Sequence, residues 1–442
     1  MLQLIPLSKY ERLCEDLCRA IRKARAEGRR VGLKKSASNL FRRRRETGKM
    51  RLDVRGLCHV LAIDETAMTA DVEGAATYEA LAAETLRHGL LPAVTPELKT
   101  ITTGGAVSGL GIESSSFRFG LVHETVIDMD VLTGRGDVVR CSRDTNSDLF
   151  YCVPNSYGTL GYVLRLRLKL MPAKAYVRLT HTAYSQPEEY FEAIAGMAES
   201  DETDFIDGTV FGAGDLYLTT AMMHEETQRT SDYTWLHAYY ASIRSKRSDC
   251  LKVRDYVWRW DTDWFWCSKQ FRLQNPVLRF LATPLLLNSR TYQRLMRLSH
   301  VLLPEGKGRE SVIQDVAIPI GSAAAFLRFL LTEIPITPVW VCPFFASRES
   351  AAFTVYPIAP GLHINFGFWD VVPALAERAY YNRLVEKAVG HFGGRKAFYS
   401  TSCYSPETFR SLFDERQYRL MKQRYDPDGL YGDLYDKCVL AG

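Results

Sequence analysis

Residues 96–172 read PELKTITTGGAVSGLGIESSSFRFGLVHETVIDMDVLTGRGDVVRCSRDTNSDLFYCVPNSYGTLGYVLRLRLKLMP. Their first part combines Thr102 and Thr103 with four glycines between positions 104 and 111, and continues as ESSS at 113–116. Because glycine has no Cβ, such a segment brings many backbone N–H groups close to a bound ligand. The pattern predicts a loop that wraps a pyrophosphate and a flat heterocycle.

The second part of the stretch indicates several strands. Two apolar runs, 126–132 and 137–141, flank a turn that contains Gly134 and Gly136, as in a β-hairpin. Leucines then alternate with basic residues over 164–170, which is typical of a strand with one apolar face. Together with helical spacing elsewhere in the chain, these strands predict an α+β fold.

The order of these segments resembles the FAD-binding domain of the vanillyl-alcohol-oxidase type, a two-subdomain fold also called PCMH. Several motifs resemble, more narrowly, the Diminuto or desmosterol reductase family, which saturates an alkene in a sterol side chain. They are GIESSS at 111–116, NSDLFY at 146–151, GTLGYV at 158–163, VIQD at 312–315, PVWVCPF at 338–344 and YDK at 435–437. The resemblance therefore covers most of the chain.

The resemblance and the composition together imply three parts of the chain. The two-subdomain FAD-binding domain is expected over residues 1–172, because all seven tryptophans lie beyond Pro172. An α+β substrate (cap) domain is expected over residues 173–395. A C-terminal segment, residues 396–442, is expected to pack back on the flavin domain, as in the resembled fold.

The composition excludes several classes of protein. A chain of 442 residues with 46% hydrophobic and 24% charged residues fits a multidomain globular protein. The ten cysteines form no CxxC pair and no zinc-like spacing with histidine, so no metal is expected. The net charge of +5 includes the cluster RRRR at 42–45, but no DNA-binding motif accompanies it and no nucleic-acid partner is expected. The oligomeric state is left open.

The sequence also gives grounds to predict the cellular location of the protein. The N-terminal residues MLQLIPLSKYERL lack the pattern of a secretory signal peptide, and no run approaches the roughly 18 apolar residues of a transmembrane helix. A cytoplasmic protein is expected, with peripheral contact at the inner membrane surface left open. Residues 255–287 are the candidate for that contact, because they combine Trp264, Phe265 and other aromatic residues with arginines. An apolar substrate pocket and a buried core are the alternative interpretations.

The resemblance implies FAD as the cofactor. The first loop reads KKSASN at 34–39 and contains no histidine, so the FAD would be bound without a covalent link there. Its pyrophosphate would lie against Lys35, Ser36, Ala37, Ser38 and Asn39. The second loop and the strand that follows would supply the other contacts, which are Pro96, Glu97, Thr102, Thr103, Gly104, Gly105, Gly109, Ile112, Ser114, Ser115, Gly158, Thr159, Gly161 and Val163.

Two residues are candidate catalytic groups. Glu113 is a carboxylate among phosphate- and flavin-binding residues, where it would either fix the loop through hydrogen bonds or donate a proton. Tyr404 lies in the tail that reaches the substrate face of the flavin in the resembled fold, and a core aromatic is the alternative. The sequence does not choose between them as the proton donor.

The resemblance implies an FAD-dependent oxidoreductase that reduces a carbon–carbon double bond in an apolar lipid, either a sterol side chain or a methylene-branched fatty-acyl chain. NADPH or NADH would reduce the flavin, although no GxGxxG motif indicates a second Rossmann domain. One alternative is an FAD-dependent oxidase or dehydrogenase of an alcohol or sugar lipid. It would need a base near the flavin, and His123 is the only histidine in these motifs. The other alternative is a non-catalytic binding protein that kept the flavin fold.

Overall fold

Two small subdomains and a larger cap sheet make up this computed structural model, which describes residues 7–36, 48–227, 229–302 and 308–439. The helices are α1 (Leu7–Ala26), α2 (Tyr78–Thr85), α3 (Thr103–Ser108), α4 (Ser116–Phe119), α5 (Ser147–Cys152), α6 (Pro187–Glu199), α7 (Tyr239–Ser242), α8 (Val253–Val257), α9 (Pro276–Leu286), α10 (Ser289–Leu302), α11 (Ile320–Glu333), α12 (Tyr380–His391), α13 (Pro406–Ser411), α14 (Glu415–Tyr425) and α15 (Leu434–Cys438). The strands are β1 (Val31–Lys34), β2 (Met50–Asp53), β3 (Val60–Asp64), β4 (Thr69–Glu73), β5 (Leu90–Pro92), β6 (Val126–Leu132), β7 (Val138–Ser142), β8 (Tyr162–Pro172), β9 (Tyr176–Tyr184), β10 (Phe205–Gly212), β11 (Asp215–His224), β12 (Ser248–Lys252), β13 (Arg309–Pro319), β14 (Val339–Ala346), β15 (Gly361–Pro373) and β16 (Arg395–Lys396).

The first subdomain packs α1 on a two-stranded parallel sheet of β1 and β2. Leu17 and Ile21 lie one turn apart on α1, and both are buried against Val31 and Leu52 of the two strands. The backbone N–H of Val31 donates to the carbonyl of Leu430 at 3.0 Å. The C-terminal tail therefore returns to the first subdomain.

The second subdomain is an antiparallel sheet in the order β3-β4-β8-β6-β7, with β5 paired to β8. The alternating leucines of β8 are buried on one face, as a strand period of two requires. On the opposite face Arg165 is paired with Asp71, Asp128 and Asp130, so it is largely enclosed. The hydroxyl of Tyr10 in α1 donates to Asp130 at 2.9 Å, which joins the two subdomains over this ion-pair network.

The cap is an eight-stranded antiparallel sheet in the order β12-β9-β11-β10-β14-β15-β13-β16. One face packs against the apolar sides of α6, α11 and α12. Residues at alternate positions face the other way, and Ile313, Asp315, Trp340 and Trp369 among them line a cleft. The cap sheet thus packs helices on one face and forms one wall of the candidate site with the other.

Candidate functional site

A cleft of about 700 Å³ lies between the two subdomains and the cap sheet. That volume is within the range of a site for a large organic ligand. Residues of β1 and β2 line one part of it, residues 96–112 line another, and Trp340 and Trp369 of the cap line a third. The cleft therefore joins a polar region to an aromatic region in one continuous space.

Glycines form the wall of the cleft where two backbone segments cross. The N–H of Gly104 donates to the carbonyl of Gly74 at 3.0 Å, and the N–H of Gly74 donates to that of Leu164 at 2.7 Å. A Cβ on Gly74 would lie 2.1 Å from the carbonyl oxygen of Val163, and one on Gly105 would lie 2.6 Å from the Thr102 hydroxyl oxygen. Side chains are thus excluded here, which leaves a backbone cradle of the kind that a dinucleotide needs.

Basic residues line the part of the cleft next to β1 and β2. They are Arg30, Lys35, Lys49 and Arg51. Lys35 was predicted from the first loop, but the other three were missed. The parallel register of β1 and β2 sets Gly32 opposite Arg51, so residues about 20 positions apart share one site. This positive charge fits a pyrophosphate, and the cradle and the basic residues together fit FAD.

Ten of the predicted cofactor contacts line the cleft. They are Lys35, Pro96, Glu97, Thr102, Gly104, Gly105, Gly109, Ile112, Gly158 and Val163. Ala37, Ser38 and Asn39 lie outside the described residues. Most of the positions predicted in the loop at 96–112 therefore line the cleft.

Six other predicted contacts, Ser36, Thr103, Ser114, Ser115, Thr159 and Gly161, are not among the residues that line the cleft. The hydroxyl of Thr103 donates to the carbonyl of Glu73 at 2.9 Å, that of Ser115 to Ala93 at 2.7 Å, and that of Thr159 to Ser156 at 2.8 Å. Gly161 is packed against the backbone of Leu132. These buried groups hold the loops in shape, because their polar atoms are already used within the protein.

Glu113 belongs to a buried cluster in which one arginine faces three carboxyl groups. Arg259 Nη2 lies 2.7 Å from Asp207 Oδ2, 3.2 Å from Glu113 Oε1 and 3.6 Å from Glu97 Oε1. Glu113 does not line the cleft, whereas Glu97 does. Burial, and then the neighbouring charge of Glu113, raise the pKa of Glu97 well above its ordinary value. Of the three carboxyl groups, only Glu97 can therefore meet a ligand directly.

Tyr404 lies outside the cleft, in contrast to the expectation for a catalytic group. It lines a separate cavity of about 80 Å³, where its ring centroid is 5.7 Å from Lys396 Nζ. Tyr399, five positions earlier in the same tail, lines the cleft instead, and its hydroxyl donates to Asp315. Asp315 also accepts a hydrogen bond from Asn365 Nδ2 at 2.7 Å, and burial raises the pKa of Asp315 to about 6. Asp315 is the last residue of the VIQD motif, which was the available signal for it.

His123 does not supply a base to the cleft. It is 2% exposed, and its ring packs edge-on against Phe353 with centroids 4.4 Å apart. Burial lowers the pKa of His123 to about 3, so it is neutral. Within the described ranges, no group of three His, Cys, Asp or Glu residues is placed to hold a metal ion.

Aromatic side chains from three segments line the cap side of the cleft. Trp264 and Phe265 follow α8, while Trp340 and Trp369 lie on β14 and β15. Phe265 meets Trp369 edge-on at 4.5 Å between centroids. This wall is apolar and rigid, which suits a ligand that has an apolar body.

The aromatic segment 255–287 divides into a buried and an exposed part. Trp264 and Phe265 are only 4% and 7% exposed, so the expectation that they contact a membrane is wrong for these two residues. The apolar side chains that reach the surface are on α9, where Val277 and Leu281 are 67% and 65% exposed. No helix in the part of the chain that the structure describes is long and apolar enough to cross a membrane.

Comparisons with known proteins agree with this geometry. Residues 14–142 match a family model described as an FAD binding domain. The chain is 25% identical over 409 residues to the Delta(24)-sterol reductase of Homo sapiens, covering 87% of this chain and 77% of that protein. It is 24% identical over 428 residues to the Arabidopsis thaliana Delta(24)-sterol reductase, covering 86% and 74%. Over a shorter stretch of 128 residues, the chain is 38% identical to Cytokinin dehydrogenase 4 of Oryza sativa subsp. japonica. This stretch covers 29% of this chain and 24% of that protein.

These matches confirm two predictions from the sequence. The resemblance to sterol side-chain reductases extends over most of the chain, and the FAD-binding α+β fold is the predicted one. The matched family model ends at residue 142, near the end of β7, and so covers the first subdomain and much of the second.

Proposed function

We propose that this chain is an FAD-dependent reductase that adds two hydrogens across a carbon–carbon double bond of an apolar lipid. A sterol side chain is the first candidate substrate, and a methylene-branched fatty-acyl chain is the second. NADPH or NADH is the proposed electron donor. One observation carries the proposal, namely that a single cleft joins a glycine-lined, basic region to an aromatic wall.

The chemistry of an isolated alkene explains what the cleft must provide. Such a bond accepts hydride poorly because no neighbouring carbonyl stores the charge, so protonation must lead or accompany hydride transfer. When bound, FAD supplies the hydride after it has been reduced by the nicotinamide. The protein must therefore hold a proton donor and stabilise positive charge at the more substituted carbon.

The aromatic wall meets the second of these needs. The ring faces of Trp264, Phe265, Trp340 and Trp369 carry negative electrostatic potential. A cation over such a ring is stabilised by about 1–2 kcal/mol when water is excluded. Trp264, Phe265 and Trp340 are buried, and Trp369 is partly buried against them, so this wall also removes water from the alkene.

Anaerobic flavin spectroscopy tests the proposed function. Protein loaded with FAD should lose its yellow colour on addition of NADPH or NADH, and a sterol or branched-acyl alkene should restore it. Failure of both nicotinamides to reduce the bound flavin would contradict the reductase proposal. A colourless protein that never takes up FAD would favour the non-catalytic binding protein instead.

Asp315 favours an oxidase or dehydrogenase of an alcohol as a second candidate function. Its pKa of about 6 leaves it largely ionised at neutral pH, and it lines the cleft beside Tyr399. A carboxylate at that position could accept the proton of a hydroxyl group. Substrate-dependent release of peroxide, with no reoxidation of the flavin by an alkene, would establish this alternative.

Removal of two basic side chains from the cleft should weaken FAD binding. We expect the double variant Lys35→Ala, Arg51→Ala to raise the Kd for FAD by tenfold or more, because charged contacts to a pyrophosphate contribute about 1.5–3 kcal/mol each. Titration of the apoprotein with FAD, followed by flavin fluorescence, measures the effect.

The neighbouring lysine provides the control for this variant. Lys34 is half exposed, does not line the cleft, and lies 3.4 Å from Asp53 Oδ2. Lys34→Ala should leave the Kd unchanged. An equal loss of affinity in Lys34→Ala, or none in the double variant, would show that the basic residues of the cleft do not hold the cofactor.

Helix α9 is proposed to contact an anionic membrane surface, which would give the cleft access to a lipid substrate. Val277, Phe280 and Leu281 project from it into solvent, and the exposed Arg272 and Arg294 lie in the flanking segments. Burial of an apolar side chain contributes about 1.5–3 kcal/mol. Val277→Asp combined with Leu281→Asp should therefore reduce co-sedimentation with phosphatidylserine-containing vesicles by tenfold or more.

The control for the membrane experiment is an exposed leucine elsewhere. Leu420 on α14 is 48% exposed, and Leu420→Asp should bind vesicles like the wild type. Unchanged vesicle binding by the α9 variant would exclude this surface. Substitution of Trp264 or Phe265 would not be informative, because both are part of the packed core.

A further inference from the structure

The buried cluster around Arg259 holds more carboxyl groups than positive charge. Three carboxyl groups, those of Glu97, Glu113 and Asp207, surround a single guanidinium, and all four side chains are at most 4% exposed. Burial of unbalanced charge in an apolar interior costs several kcal/mol per ion in proteins. At least one of the three carboxyl groups therefore holds a proton at neutral pH.

The hydrogen bonds show which carboxyl groups share that proton. Asp207 Oδ2 accepts from Arg259 at 2.7 Å and from Trp340 Nε1 at 3.3 Å, so it already has two donors. Glu97 Oε1 and Glu113 Oε2 are buried and receive no N–H or hydroxyl donor from the other described residues. Glu97 and Glu113 both approach the same guanidinium nitrogen of Arg259, at 3.6 and 3.2 Å. A proton on one of these carboxyl groups would supply the donor that the two oxygens lack.

Only one of the three carboxyl-bearing residues lines the cleft. Glu97 lines the cleft, while Glu113 and Asp207 lie behind it. Trp340 lines the cleft and also donates to Asp207, so the cluster stands directly behind the aromatic wall. Glu97 is thus the member of the carboxyl pair that borders the cleft.

We propose that Glu97 is the proton donor to the substrate alkene and that Glu113 is the positioning residue that keeps the proton on it. The proposal rests on the reductase function proposed above. The alkene takes the proton of Glu97 at one carbon and a hydride from the reduced cofactor at the other. The π bond and the O–H bond of Glu97 break, two C–H bonds form, and the cofactor is oxidised by two electrons. Glu97 remains as a carboxylate and regains a proton from water when product leaves.

Tyr399 is the competing donor in the cleft, and its geometry makes it the weaker choice. Its hydroxyl proton is already donated to Asp315. Burial, and then the charge of Asp315, raise the pKa of Tyr399 well above its usual value. A phenol in that state releases a proton less readily than a neutral carboxyl group does.

Stopped-flow reoxidation of Glu97→Gln tests the assignment, because glutamine keeps the size of the side chain but has no acidic proton. FAD uptake and reduction by the nicotinamide are measured first on the variant, so that the alkene step is compared only between reduced, FAD-loaded proteins. Reoxidation of its flavin by the alkene should slow by about 10²–10⁴-fold, while reoxidation by ferricyanide should be unchanged. Glu97→Asp should recover part of the rate, which a merely structural role would not predict.

Infrared spectroscopy provides a readout that does not depend on turnover. The protein at neutral pH should show the C=O stretch of a protonated carboxyl group, and this band should be lost in Glu97→Gln. Glu124→Gln is the matched control, since Glu124 is a largely buried carboxyl group outside the cleft whose pKa is also raised by burial. That variant should keep the Glu97 band and the rate of reoxidation by the alkene.

The outcomes separate this proposal from the function on which it rests. If the wild-type flavin is reoxidised by no alkene, the reductase function fails and the donor role of Glu97 fails with it. If the wild type reacts and Glu97→Gln reacts at the same rate, the function stands and the assignment of Glu97 is wrong. A difference spectrum between the wild type and Glu97→Gln that shows no loss of protonated-carboxyl absorption would also overturn it.

Discussion

We expect Arg259→Met to lower the free energy of unfolding by about 3–5 kcal/mol, the cost of leaving buried charges without their partner. Arg259 is the only cation within 4 Å of Glu97, Glu113 and Asp207 among the described residues, and its own side chain is 0% exposed. Its removal leaves carboxyl groups that must either take up protons or unfold the cluster. Urea denaturation at neutral pH measures the change, and the midpoint should fall strongly.

A surface ion pair provides the contrast for this prediction. Arg290 pairs with Glu79, but their side chains are 60% and 35% exposed. Arg290→Met should therefore change the free energy of unfolding by less than about 1 kcal/mol. Addition of Asp207→Asn to Arg259→Met should recover part of the lost stability, because it removes one of the unpaired charges. Equal stability of Arg259→Met and the wild type would show that the cluster is not held by its charge.

Gly74→Ala should be the most disruptive of the single-methyl substitutions in the cleft wall. The added Cβ would lie 2.1 Å from the carbonyl oxygen of Val163, which belongs to the backbone of β8 and cannot rotate away. We expect a loss of about 3 kcal/mol in the free energy of unfolding, at the upper end of the usual cost of overpacking. Because Gly74 also lines the cleft, FAD binding should be lost or strongly weakened in the fraction that folds.

Gly196→Ala is the matched control for this substitution. Gly196 lies within α6, and a Cβ there would meet nothing within 4 Å. Alanine should stabilise the helix by about 0.5–1 kcal/mol relative to glycine. Thermal unfolding of both variants, with FAD titration, tests the pair. A stable Gly74→Ala protein with normal FAD affinity would contradict the close backbone crossing at this position.

The loop that is predicted to bind the cofactor shows which features of the site can be predicted from the sequence. Most of the glycine and threonine positions predicted over 102–111 line the cleft. Glycine spacing can be read from the sequence because the absence of a Cβ is a local property. The partner of each glycine was not predictable. Gly74 meets Val163 almost ninety positions away, and that contact depends on the pairing of β4 with β8.

The candidate catalytic residues show more clearly what the sequence could not predict. Glu113 stood out as a carboxylate in a cofactor loop, and the structure does place it beside a second carboxyl group. The residue that reaches the cleft is Glu97, sixteen positions earlier, and Arg259 comes from the cap. Similarly, Tyr399 rather than Tyr404 faces the cleft, because the direction of a side chain in an irregular tail is set by what the tail packs against.

The amino-acid sequence by itself determined the fold class, the resemblance to sterol side-chain reductases and the glycine-rich segment that lines the cleft, because these depend on local spacing and on motifs read along the chain. Tertiary structure alone decided which aromatic residues are buried, which basic residues of β1 and β2 share the cleft, and which carboxyl group of the Arg259 cluster is accessible. These properties arise from contacts between residues that are far apart in the chain. Burial and charge at such contacts depend on how strands pair and on which face a side chain lies.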